Sequence, residues 1–225
     1  PVASPVQAPS AGTVLTVASS PDQIANGEDS GDDQSRLHVS SADPFVGSPR
    51  ALVTMVVFID LQCPFTARLY TTITALRRRY SPDDLRVVFK HNPLPFHHNA
   101  RRAAEYAMAA YRHASSQGFD CFASAAFADQ ANLTNDVLRD IAAQCAIPQD
   151  AIDRSPDLSL KIDQDIDLAK AIGSRATPNS YVNGVFLSGA QPIEKFIETI
   201  DAELVETRRA RSEGADLATM HAFRV

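Results

Sequence analysis

The chain has 225 residues, of which 44% are hydrophobic and 21% charged, a balance that is ordinary for a globular protein with one sizeable core. Its formal net charge of -6 gives no electrostatic reason to expect binding to nucleic acid. No apolar run approaches the roughly 20 residues that a membrane-spanning helix needs, so we expect this sequence not to form an integral membrane protein.

The first 35 residues differ in composition from the rest of the chain. They are rich in Pro, Ala, Ser and acidic residues and lack the apolar periodicity that builds a core. We therefore predict a disordered leader or linker over 1–35. No basic, apolar, signal-like segment opens the sequence. Such a leader is typical of a protein that is tethered to an envelope membrane upstream of residue 1, or that has been released from one.

A strand, a helix and a second strand open the predicted domain, which we place at 36–206. Val53–Leu61 is a nearly continuous apolar run rich in β-branched residues, which is typical of a strand buried on both faces. Apolar residues then recur at intervals of three and four along a helix that begins at Pro64 and ends before Pro82. Leu85–Lys90 is the second strand, so this span predicts one crossover unit.

The middle of the chain is alanine-rich and predicts helices. We expect single helices over Asn99–His113 and Asp157–Ile172, and between them a helical hairpin of Phe119–Ala128 and Asn135–Cys145. Together they form an all-helical insertion at about 97–172.

The C-terminal part of the domain returns to the sheet. Asn179–Asn183 and Val185–Leu187 predict two strands joined by a tight turn at Asn183-Gly184. Pro192–Val205 predicts a closing helix, and 207–225 a loose C-terminal tail. The order of elements predicts an α/β fold in which a small mixed sheet, flanked by helices, is interrupted by the helical insertion.

One of the three cysteines lies at a position that favours chemistry. Cys63 stands where a strand ends and a helix begins, and there unpaired N–H groups and the positive end of the helix dipole favour an anion. A thiol at that position is expected to have a lowered pKa, and the thiolate is the reactive form. The alternative is that Cys63 is a small buried hydrophobe, as free cysteines often are.

An ordered set of motifs gives the chain a resemblance to a known family over about 44–205. The motifs are Phe45–Pro49, Phe58–Phe65, Pro93–His97, Thr177–Pro178, Tyr181–Gly184 and Gly189–Pro192. In these motifs the chain resembles the thioredoxin superfamily, in its DsbA-like branch with a helical insertion. The resemblance implies a thioredoxin fold.

The resemblance also implies roles for individual residues. Cys63 is then the attacking cysteine, and Pro64 and Phe65 belong to the substrate-binding surface. Pro178 is the expected cis-proline, and Thr177 offers backbone hydrogen bonds to a bound polypeptide.

The sequence departs from the family pattern inside the active-site motif. The family has a cysteine at both ends of four residues, whereas here the motif is Cys63-Pro64-Phe65-Thr66. Thr66 replaces the resolving cysteine, so the ordinary oxidase or reductase cycle cannot close within the motif. Thr66 lies one helical turn after Cys63, and we predict that its hydroxyl donates a hydrogen bond to the thiolate. The alternative is an active site that has lapsed.

The other two cysteines lie near opposite ends of the predicted helical hairpin. Cys121 stands just inside its first helix and Cys145 at the close of its second, and in an antiparallel helix pair these points face each other. We therefore predict a structural disulfide between Cys121 and Cys145, provided that the protein meets an oxidising compartment. Two buried free thiols are the alternative.

The sequence offers no signal for a metal or a cofactor. No cluster of histidines or carboxylates has metal-ligand spacing, and no glycine-rich loop would hold a phosphate. His97 and His98 follow Pro95-Phe96 at a helix start, where we expect caps and surface residues.

Together these features predict a monothiol thiol-disulfide exchange protein of the bacterial periplasm or cell envelope. Cys63 would attack disulfides or glutathione adducts, and a small thiol or a partner protein would complete the turnover. Its partners would be polypeptide thiols and disulfides, and glutathione. Two alternatives stay open: a redox-inactive thioredoxin-fold module that binds polypeptides beside Pro178, and a glutathione-dependent isomerase or transferase.

Overall fold

Five strands form one mixed sheet within residues 37–153 and 157–214, which are the residues that the computed structural model describes. The strands are β1 (Phe45–Val46), β2 (Val53–Ile59), β3 (Leu85–His91), β4 (Asn179–Val182) and β5 (Val185–Ser188). Their order across the sheet is β1-β3-β2-β4-β5. β2 and β3 run parallel, and the other neighbouring pairs run antiparallel. The leader predicted over 1–35 lies outside the described residues.

Helices flank this sheet and form the insertion between β3 and β4. They are α1 (Pro64–Arg79), α2 (Ala100–Ala128), α3 (Asn135–Gln144), α4 (Gln149–Asp153), α5 (Asp157–Ala171) and α6 (Ile193–Ser212). The fold class predicted from the sequence, a mixed sheet flanked by helices with a helical region inserted, is confirmed. No helix in the described part of the chain is both long and apolar enough to cross a membrane.

Strand β2 is buried along its whole length because it points alternate side chains into two separate cores. Met55 and Val57 belong to the main cluster, which also takes in residues of α1, α2 and α6. Val56 and Phe58 point the other way, into a smaller cluster that contains Ala169 of α5. A strand covered on both faces is apolar at nearly every position, and this explains why its sequence does not alternate; the exception is Thr54, whose buried hydroxyl accepts from Arg86.

The two helices predicted at Asn99–His113 and Phe119–Ala128 follow each other directly in α2, which is continuous except for a break at Ala114 and Ser115. Their backbone angles leave the helical region, with φ -136° and ψ 27° at Ala114 and φ 52° and ψ -145° at Ser115. Just beyond the break, a Cβ placed on Gly118 would lie 2.3 Å from the backbone oxygen of Ala110. Glycine therefore lets the two halves approach closely.

The closing helix is longer than the sequence predicts. It was expected to end at Val205, with a loose tail from 207, but α6 runs to Ser212. Thr207 is buried and accepts a hydrogen bond from the Nδ2 atom of Asn183 (3.4 Å), and Arg208 pairs with Asp84 (2.7 Å). These polar contacts hold the last turns of α6 against other elements, beyond the last buried apolar residue of the helix, Leu204. The tail beyond residue 214 lies outside the described residues.

Candidate functional site

Cys63 lies at the N-cap of α1, directly after the turn that follows β2. Its backbone is extended (φ -79°, ψ 120°), and Pro64 takes the first helical position, where a missing N–H costs nothing. The N–H of Cys63 donates to the backbone oxygen of Asp60 (3.1 Å), and the oxygen of Cys63 accepts from the N–H of Ala67 (3.2 Å). The side chain is only 4% exposed.

The thiol of Cys63 contacts the segment that carries Pro178. Its Sγ atom donates a hydrogen bond to the backbone oxygen of Thr177 at 3.2 Å, and the Thr177–Pro178 peptide bond is cis. The fold thus brings Cys63 next to the Thr177–Pro178 segment, which lies more than a hundred residues later in the sequence. The protonated thiol makes this bond, so a thiolate at Cys63 must give it up.

Thr66 makes no hydrogen bond to the thiol form of Cys63, and its bond to the thiolate stays a prediction. Its side chain is 1% exposed, and its Oγ1 atom has no hydrogen-bond partner among the described residues. The sulfur of Cys63 is directed to the Thr177 oxygen instead. The hydroxyl of Thr177 is likewise buried without a described partner. Two unpaired hydroxyls therefore lie in the segments on either side of the thiol.

A buried aspartate, which the sequence analysis did not single out, organises the turn before Cys63. Its Oδ1 atom accepts from the N–H of Gln62 (2.8 Å), while Oδ2 accepts from the N–H of Leu94 (2.8 Å) and lies 2.7 Å from Nδ1 of His97. Gln62 adds a fourth link, because its Oε1 atom accepts from the N–H of Asn99 (2.7 Å). Asp60 thereby ties the turn before Cys63 to the segment that leads into α2.

The histidines expected as caps and surface residues differ from each other. His97 is held by Asp60 through this short contact, whereas His98 is exposed. Both Asp60 and His97 stand within the motifs that carry the family resemblance, but a pairing across 37 residues has no local signal in sequence. Within the described ranges, no group of three or more His, Cys, Asp or Glu side chains is placed to hold a metal ion.

Exposed aromatic rings flank this turn. Phe65, inside the motif, is 51% exposed and has the guanidinium of Arg68 over its ring at 4.8 Å. Phe96 is 68% exposed, and its ring packs edge-on against His97 with centroids 4.6 Å apart. Large exposed rings on a hydrogen-bonded frame are a feature of surfaces that contact other proteins. We call Phe65 and Phe96 the aromatic rim, beside which the exposed Pro64 lies.

A groove follows the outer face of α1. Its volume is about 500 Å³, and its walls include Ala67 and Thr71 of α1 and Phe127 of α2. Ala67 lies one helical turn after Cys63, so the groove begins beside the Cys63–Thr66 motif. The same lining also includes the larger side chains of Tyr70 and Arg78 on α1.

Cys121 and Cys145 are joined by a disulfide with Cα atoms 5.9 Å apart. It links the second half of α2 to the C-cap of α3, and it stabilises the insertion rather than the motif. Cys63 is the free cysteine. In this state neither of the other two sulfurs is available to resolve a mixed disulfide on Cys63.

Comparison with known proteins finds a matching family model and curated relatives. The model of a family described as Thioredoxin matches residues 40–202. A curated relative, the Na(+)/H(+) antiporter NhaA 1 of Mycolicibacterium gilvum (strain PYR-GCK), is 31% identical over 161 residues, which make up 69% of this chain. The chain spans about a quarter of the length of that relative (26%).

Solved structures with a similar fold include one protein named as periplasmic and one named as a thiol-disulfide exchange protein. One is a periplasmic thioredoxin-like protein from Salmonella enterica serovar Typhimurium, with 23% identity and a TM-score of 0.65 over 73% of this chain and 91% of that one. Another is the thiol-disulfide exchange protein alpha-DsbA2 from Wolbachia pipientis, with 20% identity and a TM-score of 0.65 over 72% and 87%. At these identities the likeness is one of fold.

Proposed function

Because the chain belongs to the thioredoxin family, we propose that it is a monothiol thiol-disulfide exchange protein with Cys63 as its nucleophile. The observation that carries the proposal is the contact of the Cys63 sulfur with the Thr177 backbone oxygen, next to the cis bond of Pro178. It joins a single sulfur at a helix N-terminus to a backbone segment that can bind an extended polypeptide.

The first step is attack by the Cys63 thiolate on one sulfur of a substrate disulfide. A bond forms between Cys63 and that sulfur, the substrate S–S bond breaks, and the second substrate sulfur leaves as a thiolate that takes a proton. The proton released earlier by Cys63 passes to solvent.

The second step needs a thiol from outside the motif. Thr66 has no sulfur, and Cys121 and Cys145 are bonded to each other. A small thiol, such as glutathione, attacks the mixed disulfide, restores Cys63 as a thiolate and leaves with the substrate sulfur as a new disulfide. The cycle conserves the number of disulfide bonds, as an exchange reaction must.

We place this activity in the bacterial periplasm or cell envelope. A disulfide inside the helical insertion suits an oxidising compartment, because disulfides are rare in the reducing cytosol. A protein of the same fold is named as periplasmic. The partners proposed are polypeptide disulfides and thiols, with glutathione as the small thiol.

The experiment that tests the function follows a mixed disulfide by mass spectrometry. The protein with Cys63 in the thiol state is reacted with a disulfide-bonded peptide. We expect a stable adduct on Cys63 that Cys63→Ser does not form. Thr66→Cys should shorten the life of this adduct, because it supplies a resolving sulfur one helical turn away. The proposal fails if the wild-type chain forms no adduct while its Cys121–Cys145 bond remains intact.

A redox-inactive polypeptide-binding module is the second candidate, and two observations favour it. The Cys63 thiol is buried and bonded to Thr177, and the groove along α1 begins at the next turn of the helix. Peptide capture by the Cys63→Ser variant distinguishes the two functions. Peptide capture that Cys63→Ser retains at full affinity belongs to the module, whereas capture that needs the sulfur belongs to exchange.

A further inference from the structure

A second cavity, of about 340 Å³, shares no residue with the Cys63 site. It lies between the segment before β1, the first half of α2 with its break, and α5, and we call it the α2–α5 cavity. Its lining consists of Ser41, Ala42, Met108, Tyr111, Arg112, Ser115 and Lys161. The volume is at the lower end of the range of about 300–1,000 Å³ typical of small-molecule sites.

Three residues of this lining carry hydroxyl groups, of which Ser41 and Ser115 are exposed. Ser41, Tyr111 and Ser115 make no side-chain hydrogen bond with any residue in the described ranges. Tyr111 is half-buried, and its ring packs edge-on against Phe45 at 6.5 Å, which fixes its direction. A fixed phenol and two serine hydroxyls therefore offer donors at the cavity wall.

Lys161 brings a nearly buried cation to the same wall. Its side chain is 12% exposed, and its ammonium contacts the Oδ1 atoms of Asp43 (2.6 Å) and Asp165. An ammonium has three N–H donors, so one remains after these two contacts. The oxygens of Asp43 are occupied: Lys90 also contacts Oδ1 (2.8 Å), and the N–H of Ser40 donates to Oδ2 (2.7 Å).

Arg112 supplies the second cation through a contact that is easily exchanged. Its two terminal nitrogens each donate one bond to Asp157, at 3.0 and 2.6 Å, and both side chains are about half exposed. A guanidinium has five N–H donors, so three remain. An exposed ion pair of this kind contributes little to stability, and a bound anion can compete with Asp157 for the guanidinium.

The break in α2 shapes the rim of the cavity. Ser115 is not glycine, yet its φ of 52° and ψ of -145° lie where residues with a side chain are rarely found. The neighbouring Ser116 holds this conformation, because its Oγ atom donates to the backbone oxygen of Phe45 (2.5 Å). Unusual backbone angles that the surroundings enforce are concentrated at ligand sites.

These groups have one chemistry in common. Among the described residues, the lining contains two cations and three hydroxyls, while the carboxylates that pair with the cations, those of Asp43, Asp165 and Asp157, are not part of it, so the N–H donors left on Lys161 and Arg112 can reach a ligand. We propose that the α2–α5 cavity binds a small ligand through an oxyanion group, a carboxylate or a phosphate, held by Arg112, Lys161 and Tyr111. This site is independent of the exchange function proposed for Cys63.

Isothermal titration of the full chain tests this site, with inorganic phosphate, citrate and uncharged glucose as probes at one fixed salt concentration. We expect saturable binding of phosphate or citrate and none of glucose. Arg112→Gln should weaken the binding about tenfold, as loss of a charge-assisted pair does. Asp157→Asn should strengthen it, because it removes the competing carboxylate.

Arg101 provides a matched control. It pairs with Asp163 through the same two-bond geometry (2.7 and 3.1 Å), between the same two helices, but it does not line the cavity. Arg101→Gln should leave the affinity within about twofold of wild type, as expected for an independent position. Preference for citrate or for phosphate identifies the oxyanion. No saturable binding below about 10 mM, or an equal loss in both arginine variants, overturns the proposal.

Discussion

The Sγ atom of Cys63 lies 3.2 Å from the backbone oxygen of Thr177, and the two residues are 114 positions apart in the chain. That oxygen is also the acceptor that a bound polypeptide would use under the proposed function. The thiol and the polypeptide therefore compete for one atom. When Cys63 enters a mixed disulfide it can no longer donate, and the oxygen becomes available to the substrate at that moment.

Thr66→Val is expected to leave the protein at least as stable as wild type. The variant keeps the shape of the side chain and removes a buried hydroxyl that has no described partner. Such a change is neutral or stabilising, by up to about 1 kcal/mol in the free energy of unfolding. Chemical denaturation measures it. Thr134→Val is the matched control, because the Thr134 hydroxyl accepts from the N–H of Val137 at the start of α3 and its loss should cost about 1 kcal/mol.

The exchange rates of the Thr66→Val variant decide whether the hydroxyl takes part in the chemistry. We expect them to equal those of wild type, since Thr66 makes no bond to the thiol in this structure. A large loss of rate in Thr66→Val, with stability unchanged, would mean that the hydroxyl binds the thiolate once it forms.

Phe96→Ala is expected to reduce exchange with disulfide-bonded polypeptides and to leave exchange with glutathione disulfide unchanged. The ring is mostly exposed, so its loss costs little stability, but a polypeptide over the aromatic rim would cover it. A tenfold loss corresponds to about 1.4 kcal/mol. Rates with both substrates are measured together. Leu160→Ala, at an equally exposed apolar residue of α5, should change neither rate.

Replacing Cys121 and Cys145 together by alanine should lower the free energy of unfolding by about 3.5 kcal/mol. This is the free-energy equivalent of the conformational entropy that the unfolded chain regains when a loop of this length is opened. The loop spans 24 residues of sequence. Denaturation of the variant, and of wild type in excess reductant, should give similar losses. A double variant within about 1 kcal/mol of wild type would contradict this account of the disulfide.

His91 should make the protein less stable as the pH falls. Burial, and then the charge of Lys161, lower the pKa of His91 from 6.5 to about 3, with Asp43 acting in the opposite direction. Between these values the unfolded chain binds a proton that the folded chain does not. The free energy of unfolding therefore falls with decreasing pH, by up to about 1.4 kcal/mol per pH unit from this group.

His91→Phe should remove this part of the pH dependence. Both ring nitrogens of His91 are buried without a described partner, and the ring packs against Phe119 at 6.2 Å, so an apolar ring suits the position. Stability is compared at about pH 7 and about pH 4.5, on either side of the reference value. Parallel curves for the variant and wild type would exclude His91 as the source. The exposed His98→Phe is the control, with no change of slope expected.

The features predicted correctly are those that short stretches of sequence specify. The buried strand β2 and the helix α1 follow from an apolar run and from a three-to-four periodicity, and both are present. The turn at Asn183-Gly184 has positive φ values at both residues (45° and 92°), which is the reason why Asn and Gly are favoured there.

The features that the sequence analysis missed depend on contacts between distant segments. The break in α2 depends on the fit of Gly118 against Ala110, and the length of α6 depends on partners in other elements. The links of Asp60 to Leu94 and His97 have no periodic signature, because one carboxylate in a turn resembles any other. Such polar pairings are visible only when the fold has placed both partners.

The disulfide in the helical insertion also affects whether Cys63, the proposed nucleophile, stays a free thiol. A chain with three cysteines can close one disulfide in three ways, and two of these would consume Cys63. The pairing of Cys121 with Cys145 is the one that leaves Cys63 in the thiol state. The insertion therefore keeps the two other sulfurs in a bond with each other, where they cannot form an intramolecular disulfide with the proposed nucleophile.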